Sequence, residues 1–248
     1  MDSLRQETYV KRPDIYELML KDMSLILKMT EVFFRPESIA INVARINHLE
    51  KLNLNFSNKS VFETGCGGIG DITKFLLKYT NNITLNDVRL ENIKSNLHTN
   101  SVSLKFNTFD LNQDIPDDTK FDIILSYGTL YHLSNPVNFI KNMSTNCTEL
   151  FILSTVTNGT DNNSISFCQE AGNDQAIDNI GCRPGRQWLI DEFKKYFEFI
   201  YYPISQPDHS DFPKHWPSNN NASRFILIAS HTLLDNKNLT LNLPTHYI

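Results

Sequence analysis

VFETGCGGIGDIT, residues 61–73, decides how this chain is read. A short apolar run ends in a cluster of glycines, and helical spacing resumes at once in DITKFLLKY. Glycine is needed where a strand turns sharply into a helix and the backbone must approach a ligand. Gly65, Gly67 and Gly70 satisfy the G-x-G-x-x-G spacing of a dinucleotide fingerprint. Asp87 follows at the end of the next apolar run, where a carboxylate accepts hydrogen bonds from both ribose hydroxyls. A nucleoside-bearing cofactor is the inference. The plainer alternative is a glycine-rich turn with Asp87 capping the following helix.

Outward from this loop the pattern alternates. Strands are expected at 60–64, 81–87, 103–110, 121–128 and 149–156, with helical stretches between them and Pro136 opening one of these. Strand–helix alternation over 60–156 implies right-handed βαβ units and a parallel, doubly wound sheet. Residues 14–56 read as helices broken at Pro36, RQWLIDEFKKYFEFI as a helix running into a strand, and 223–234 as a last strand returning antiparallel at the edge. The proline-rich loop between these two, with its aromatics and histidines, reads as functional.

The 248 residues suit one large domain with an elaboration. A net charge of −5 with no basic block disfavours a nucleic-acid backbone as partner. Apolar stretches such as 121–133 are too short to span a bilayer, and the first residues lack the apolar core of a signal peptide. Cys66, Cys147, Cys168 and Cys182 form no CxxC pair, so reduced thiols in a cytoplasmic setting are expected. The 28 asparagines, including sequons at Asn58, Asn142 and Asn221, read as compositional bias.

A nicotinamide site would want apolar residues up to the first glycine; here Glu63 stands there, where a carboxylate meets an ammonium better than a diphosphate. Asp110 closes the third strand as a further carboxylate, suited to an adenine amino group or to an Asx turn. VFETGCGGIGDIT, ITLNDVRLENI, FNTFDLN and FDIILSYGTLYHLSNP, taken in order, resemble the first four motifs of the class I S-adenosylmethionine-dependent methyltransferases. That resemblance implies a Rossmann-like α/β sheet with helices on both faces and S-adenosylmethionine as cofactor. It also implies Glu63, Gly65 and Gly67 at the methionine end, Asp87 at the ribose, and Asp110 with Leu111 at the adenine. Ser126 and Tyr127 would lie near the sulfonium. IGCRPGRQWLIDEFKKYFEFIYYPISQPDHSDFPKHW is similar to a branch found in bacterial and large-virus glycan gene sets, which implies a sugar acceptor. That branch reads E-x-G-x-G-x-G, whereas here an extra residue delays the third glycine to Gly70.

Methyl transfer to an alcohol also moves a proton, so a general base helps, and histidine is the commonest choice. His132 follows the fourth strand; His209 sits between Asp208 and Asp211 in the late loop and is favoured, because the acceptor should enter from that side. Arg183 and Trp216 are the expected acceptor contacts. Arg45 and His48 share a helix face, either solvated or reaching the methionine carboxylate or the substrate. No metal is expected, since no tight zinc spacing occurs. The expectation is one domain over 1–248: a helical cap (1–58), a cofactor core (59–156), an inserted substrate lobe (157–222) and the last strand (223–234). Its function would be O-methylation of a small polar acceptor, a sugar hydroxyl of a glycan or nucleotide sugar. A nicotinamide-dependent oxidoreductase and a catalytically silent binding module remain the alternatives.

Overall fold

The computed structural model describes residues 31–115, 119–172, 175–218 and 220–248. The helical reading of 14–30 lies outside them. The helical pattern breaks at Pro36 as expected: a short turn, Glu31–Phe34, ends before it, and Pro36 opens helix α1 (Pro36–Leu52) at its first position, where its missing N–H would have had no partner anyway. The chain then alternates through β1 (Val61–Thr64), α2 (Asp71–Leu76), β2 (Ile83–Asn86), α3 (Leu90–Asn100), β3 (Lys105–Asn107), β4 (Phe121–Tyr127), α4 (Pro136–Asn146) and β5 (Cys147–Val156). A hairpin of β6 (Ile165–Gln169) and β7 (Ile180–Pro184) follows, then α5 (Arg186–Phe193), β8 (Phe199–Pro203), β9 (Arg224–Ser230) and β10 (Leu239–Thr240).

The main sheet runs β10-β8-β9-β5-β4-β1-β2-β3. Strands β1 to β5 are parallel, and their order reverses between β1 and β4. Such a reversal opens a crevice beyond the carboxyl ends of the two strands, where ligands of open α/β sheets bind. Side-chain alternation divides the core into two layers. Ile83, Leu85, Ile123 and Leu125 pack with Leu49, Phe75 and Ile93 of α1–α3. Phe62, Ile124, Phe151 and Leu153 pack with Phe139 and Met143 of α4 and Leu189 and Phe193 of α5.

Three expectations are corrected. Strand β9 is antiparallel but interior, paired with β5 on one side and β8 on the other. Its residues Phe225 to Ala229 are buried on both faces, as a central strand requires, and the edge goes to the two residues of β10. The third strand is only Lys105–Asn107, a short edge strand that offers little to unwanted pairing. The span 157–222 is no single lobe, because α5 and β8 within it belong to the main layers. What stands apart is the β6–β7 hairpin, which folds over the turn Leu130–His132 after β4; Cys182 Sγ donates to the Leu130 carbonyl and Arg183 to the Tyr131 carbonyl.

Trp216 is also corrected. It is buried in the core, with the guanidinium of Arg186 4.4 Å from its ring centroid and Phe225 packed at an angle. Arg186 is fully buried; its Nε donates to Asp161 at 2.5 Å and its Nη1 to the Pro244 carbonyl at 2.8 Å. This cluster ties the chain end to the loop before β9. Trp216→Ala is therefore expected to cost ~3–5 kcal/mol in urea unfolding while leaving the cleft's ligand affinity intact in the folded protein.

Candidate active site

The crevice at the reversal is a cleft walled by the glycine loop, the ends of β2 and β4, Val32 and Phe33 in the turn before α1, and residues 175–177 between β6 and β7. Gly65, Gly67 and Gly70 all take positive φ, as the loop demands. A Cβ on Gly65 would stand 2.3 Å from Thr129 Oγ1, so no larger residue fits between the loop and the end of β4.

Helix α3 fastens this loop with asparagines one turn apart. Asn92 Nδ2 donates to Asp87 at 3.0 Å, Asn96 Nδ2 to Thr73 Oγ1 at 2.9 Å, and Asn100 Nδ2 to the Gly70 carbonyl at 3.1 Å. Three residues four apart share one helix face, so the spacing was visible in the sequence although it read as bias. The latch also accounts for the late third glycine, since Gly70 lies directly under Asn96 and Asn100.

Of the expected cofactor residues, Glu63, Gly65, Gly67, Asp87, Asp110, Leu111 and Tyr127 line the cleft. Asp87 accepts from Gly67 N–H at 3.2 Å, Arg89 N–H at 3.0 Å and Asn92, yet burial still raises its pKa above the usual range. Asp110 forms the Asx turn to Asn112 N–H and faces the cleft as well. Glu63 is buried with one neutral donor, Thr73 Oγ1 at 2.7 Å, and burial pushes its pKa up to about 8. Ser126 is corrected: fully buried, it lies on the strand face of Ile124 and does not reach the cleft.

The histidines separate clearly. His132 lines the cleft, and its Nδ1 stands 2.5 Å from Glu170 Oε2. Glu170 in turn accepts from Arg183 Nη2 at 3.0 Å and from Ala176 N–H at 3.3 Å. His209, the favoured base, is not on the cleft wall; its Nδ1 accepts from Asp211 N–H, and Asp211 is taken up by Arg224. Arg183 is likewise off the wall and holds Glu170 and two carbonyls. His48 is on the buried face of α1 with Nε2 at the Ser205 carbonyl, and burial brings it down to about 4.

Two cleft residues, Tyr131 and Arg224, have no role in the sequence reading, and Glu170 is only a fallback for the base. Tyr131 and Arg224 line the cleft, joined by Arg224 Nη2 donating to the Tyr131 hydroxyl at 3.3 Å. Burial would raise the Tyr131 phenol, but Arg224, His132 and Arg45 outweigh it and bring it to about 7. Glu170, 38 residues from His132, arrives only through the hairpin.

A carboxyl group whose folded pKa lies above its unfolded value favours folding at low pH and loses that contribution as pH rises through the folded value. For Glu63 this window runs from 4.5 to about 8. The ligand-free protein should thus lose stability across it, and Glu63→Gln should flatten the slope and raise Tm at pH 8. Parallel melting curves for parent and variant would sink this assignment.

Residues 62–147 match the methyltransferase-domain family. No curated protein matches the chain. Among solved structures, the N-terminal domain of EvdMO1 with S-adenosylhomocysteine bound is similar at 15% identity and a TM-score of 0.60, over 79% of this chain and 84% of that one. The same domain has a structure in the presence of S-adenosylhomocysteine and D-fucose. An S-adenosylmethionine-dependent methyltransferase from Mesorhizobium loti aligns at 11% identity and 0.55, over 75% and 97%. The N-methyltransferase NodS from Bradyrhizobium japonicum aligns at 16% and 0.54, over 77% and 96%. The nicotinamide alternative gives way. Residues 62–147 match a methyltransferase domain, and the chain has a Rossmann-like α/β fold of the kind that those structures show with S-adenosylhomocysteine bound.

Proposed function

We propose that the protein methylates a hydroxyl of a small polar acceptor, a sugar of a glycan or nucleotide sugar, with His132 as general base. The His132–Glu170 pair on the cleft wall carries this reading. Nδ1 is committed to the carboxylate, which fixes the ring and leaves Nε2 to accept a proton. Glu170 is itself held by Arg183 and Ala176 N–H, so the pair is braced from behind. The D-fucose present with the EvdMO1 domain is in keeping with a sugar acceptor.

The residues present suit the cofactor. Glu63, buried with no cation bonded to it among the described residues, would be satisfied by an ammonium group; Asp87 would offer its carboxylate to ribose hydroxyls; Asp110 and Leu111, on the same cleft wall, are read as the adenine contacts. S-adenosylmethionine, when bound, supplies an electrophilic methyl on a sulfonium leaving group. The chain's own part is to hold the acceptor oxygen in line with that carbon and to take its proton on His132 Nε2. With that group bound, an O–CH3 bond would form on the acceptor as the C–S bond breaks, and the displaced proton would go to His132 Nε2. Leu130 and Leu133, buried on either side of the turn, keep His132 in place.

Two measurements bear on this. Asp87→Ala should weaken S-adenosylhomocysteine binding about ten- to a hundredfold by calorimetry, since two hydroxyls lose their acceptor. His132→Ala should cut kcat ~10²–10⁴-fold with cofactor affinity kept. Burial lowers the His132 pKa, but Tyr131 and Glu170 outweigh it, so it sits above its ordinary 6.5. The acidic limb of the rate profile should therefore lie above that value and move down in Glu170→Gln. Near-parental turnover by His132→Ala, or an unmoved limb in Glu170→Gln, would remove His132 from the role.

A further inference from the structure

The acceptor end of the cleft holds more positive charge than its own carboxylates answer. Arg224 is paired with Asp211 at 3.3 Å, and Arg183 with Glu170 at 3.0 Å. Arg45 makes no ion pair among the described residues; its hydrogen-bond partner is the neutral Asn42 Oδ1 at 3.1 Å, and Tyr131 and Asp211 act on it only through space. Yet Arg45 is 6% exposed, and its Nε and Nη2 are buried with nothing to donate to. Nη1 of Arg224 is in the same condition. Both side chains line the cleft. The Arg45 guanidinium rests against Gly128, 3.5 Å from where a Cβ would stand, at the very end of β4. Arg224 enters from the first residue of β9, opposite Val156 at the end of β5. The two arginines thus face the space beyond β4 and β5 from different elements, close enough for each other's charge to matter.

A buried guanidinium with idle donors is costly, and two near each other more so, unless a ligand supplies what the protein withholds. The missing partner is an oxyanion. Its planar or tetrahedral oxygens match the fork of a guanidinium, which binds carboxylates and phosphates through paired N–H groups. A protonated amine would meet unanswered positive charge here.

We infer that the acceptor is anionic, with a carboxylate or phosphate oxyanion seated between Arg45 and Arg224 beside Tyr131. This rests on the methyltransferase reading above and narrows its acceptor class. The group would be anchored by the arginines, while a neighbouring hydroxyl of the same molecule faces His132. The cofactor's own carboxylate is the competing source of an oxyanion, and saturation with S-adenosylhomocysteine separates the two.

The test titrates inorganic phosphate, D-glucuronate and D-glucose into the full chain saturated with S-adenosylhomocysteine, read by thermal shift and calorimetry. Phosphate and D-glucuronate should bind the saturated protein, and D-glucose at least tenfold more weakly. Arg45→Gln should weaken both anions tenfold or more while changing S-adenosylhomocysteine affinity less than threefold. That variant removes an unanswered buried charge, so its ligand-free Tm should not fall. Arg224→Gln should act likewise on the anions; because it also strips Asp211 of a partner, Arg224→Lys serves as a second variant that keeps the charge and recovers part of the binding. The inference is overturned if the anions bind only the cofactor-free protein, or if D-glucose binds as well as D-glucuronate. It is also overturned if Arg45→Gln weakens S-adenosylhomocysteine tenfold, which would give that guanidinium to the cofactor. Failure of S-adenosylhomocysteine to bind the parent protein would instead bring down the cofactor reading itself, and is seen before any anion is added.

Discussion

The carboxylate of Asp87 is the point on which the cofactor side of the molecule depends. Only 7% exposed, it needs compensation that water cannot give. It receives three N–H donors, from Gly67, Arg89 and Asn92, and each belongs to a different piece of structure. The glycine loop, the turn after β2 and the first turn of α3 are thereby fixed to one another. The helix N-terminus favours a negative charge at this place as well. One and two turns further along α3, Asn96 and Asn100 extend the same fastening to Thr73 and the Gly70 carbonyl. The loop can thus hold three left-handed glycines without drifting, because its carbonyls and amides are answered from the helix alongside.

That arrangement explains what could be read in the sequence. The glycine loop, Asp87 and the alternation of strands and helices are local patterns, and local patterns survive in a string of letters. The parallel strands β1 to β5 followed from them, and so did a place on the cleft wall for seven of the eight residues expected at the cofactor; Ser126 falls off that wall because one step along a strand changes the face. The interior place of β9 depends on long-range pairing with β5 and β8, which its apolar run does not specify. Glu170 meets His132 only because a hairpin folds back over the turn after β4. Trp216 reads as an acceptor contact, but an aromatic in a proline-rich loop carries no mark of whether it faces a ligand or a buried arginine. The asparagines of α3 were hidden in plain composition, since their four-residue spacing gains meaning only once the loop lies beside them.

Charges of both signs line the cleft. Glu63, Asp71, Asp87 and Asp110 lie on the glycine-loop side together with Arg89, which answers Asp87. Arg45 and Arg224 bring cations to the wall beyond β4 and β5, with Tyr131 and His132 on the same wall. Asn42 joins the two sides, since it accepts from Arg45 and donates to Asp71.

The same charges govern the proton at the centre. Tyr131 sits near 7 because Arg224, His132 and Arg45 favour its phenolate against burial, and that phenolate is the largest influence raising His132. The two side chains, with ring centroids 4.0 Å apart, therefore titrate as a coupled pair, each favouring the charged form of the other. Arg224 adds the largest share to the lowering of Tyr131, and Glu170 adds its own to the raising of His132, so the proton at this point of the cleft answers to groups on β9 and the β6–β7 hairpin as well as to its two neighbours on the turn after β4.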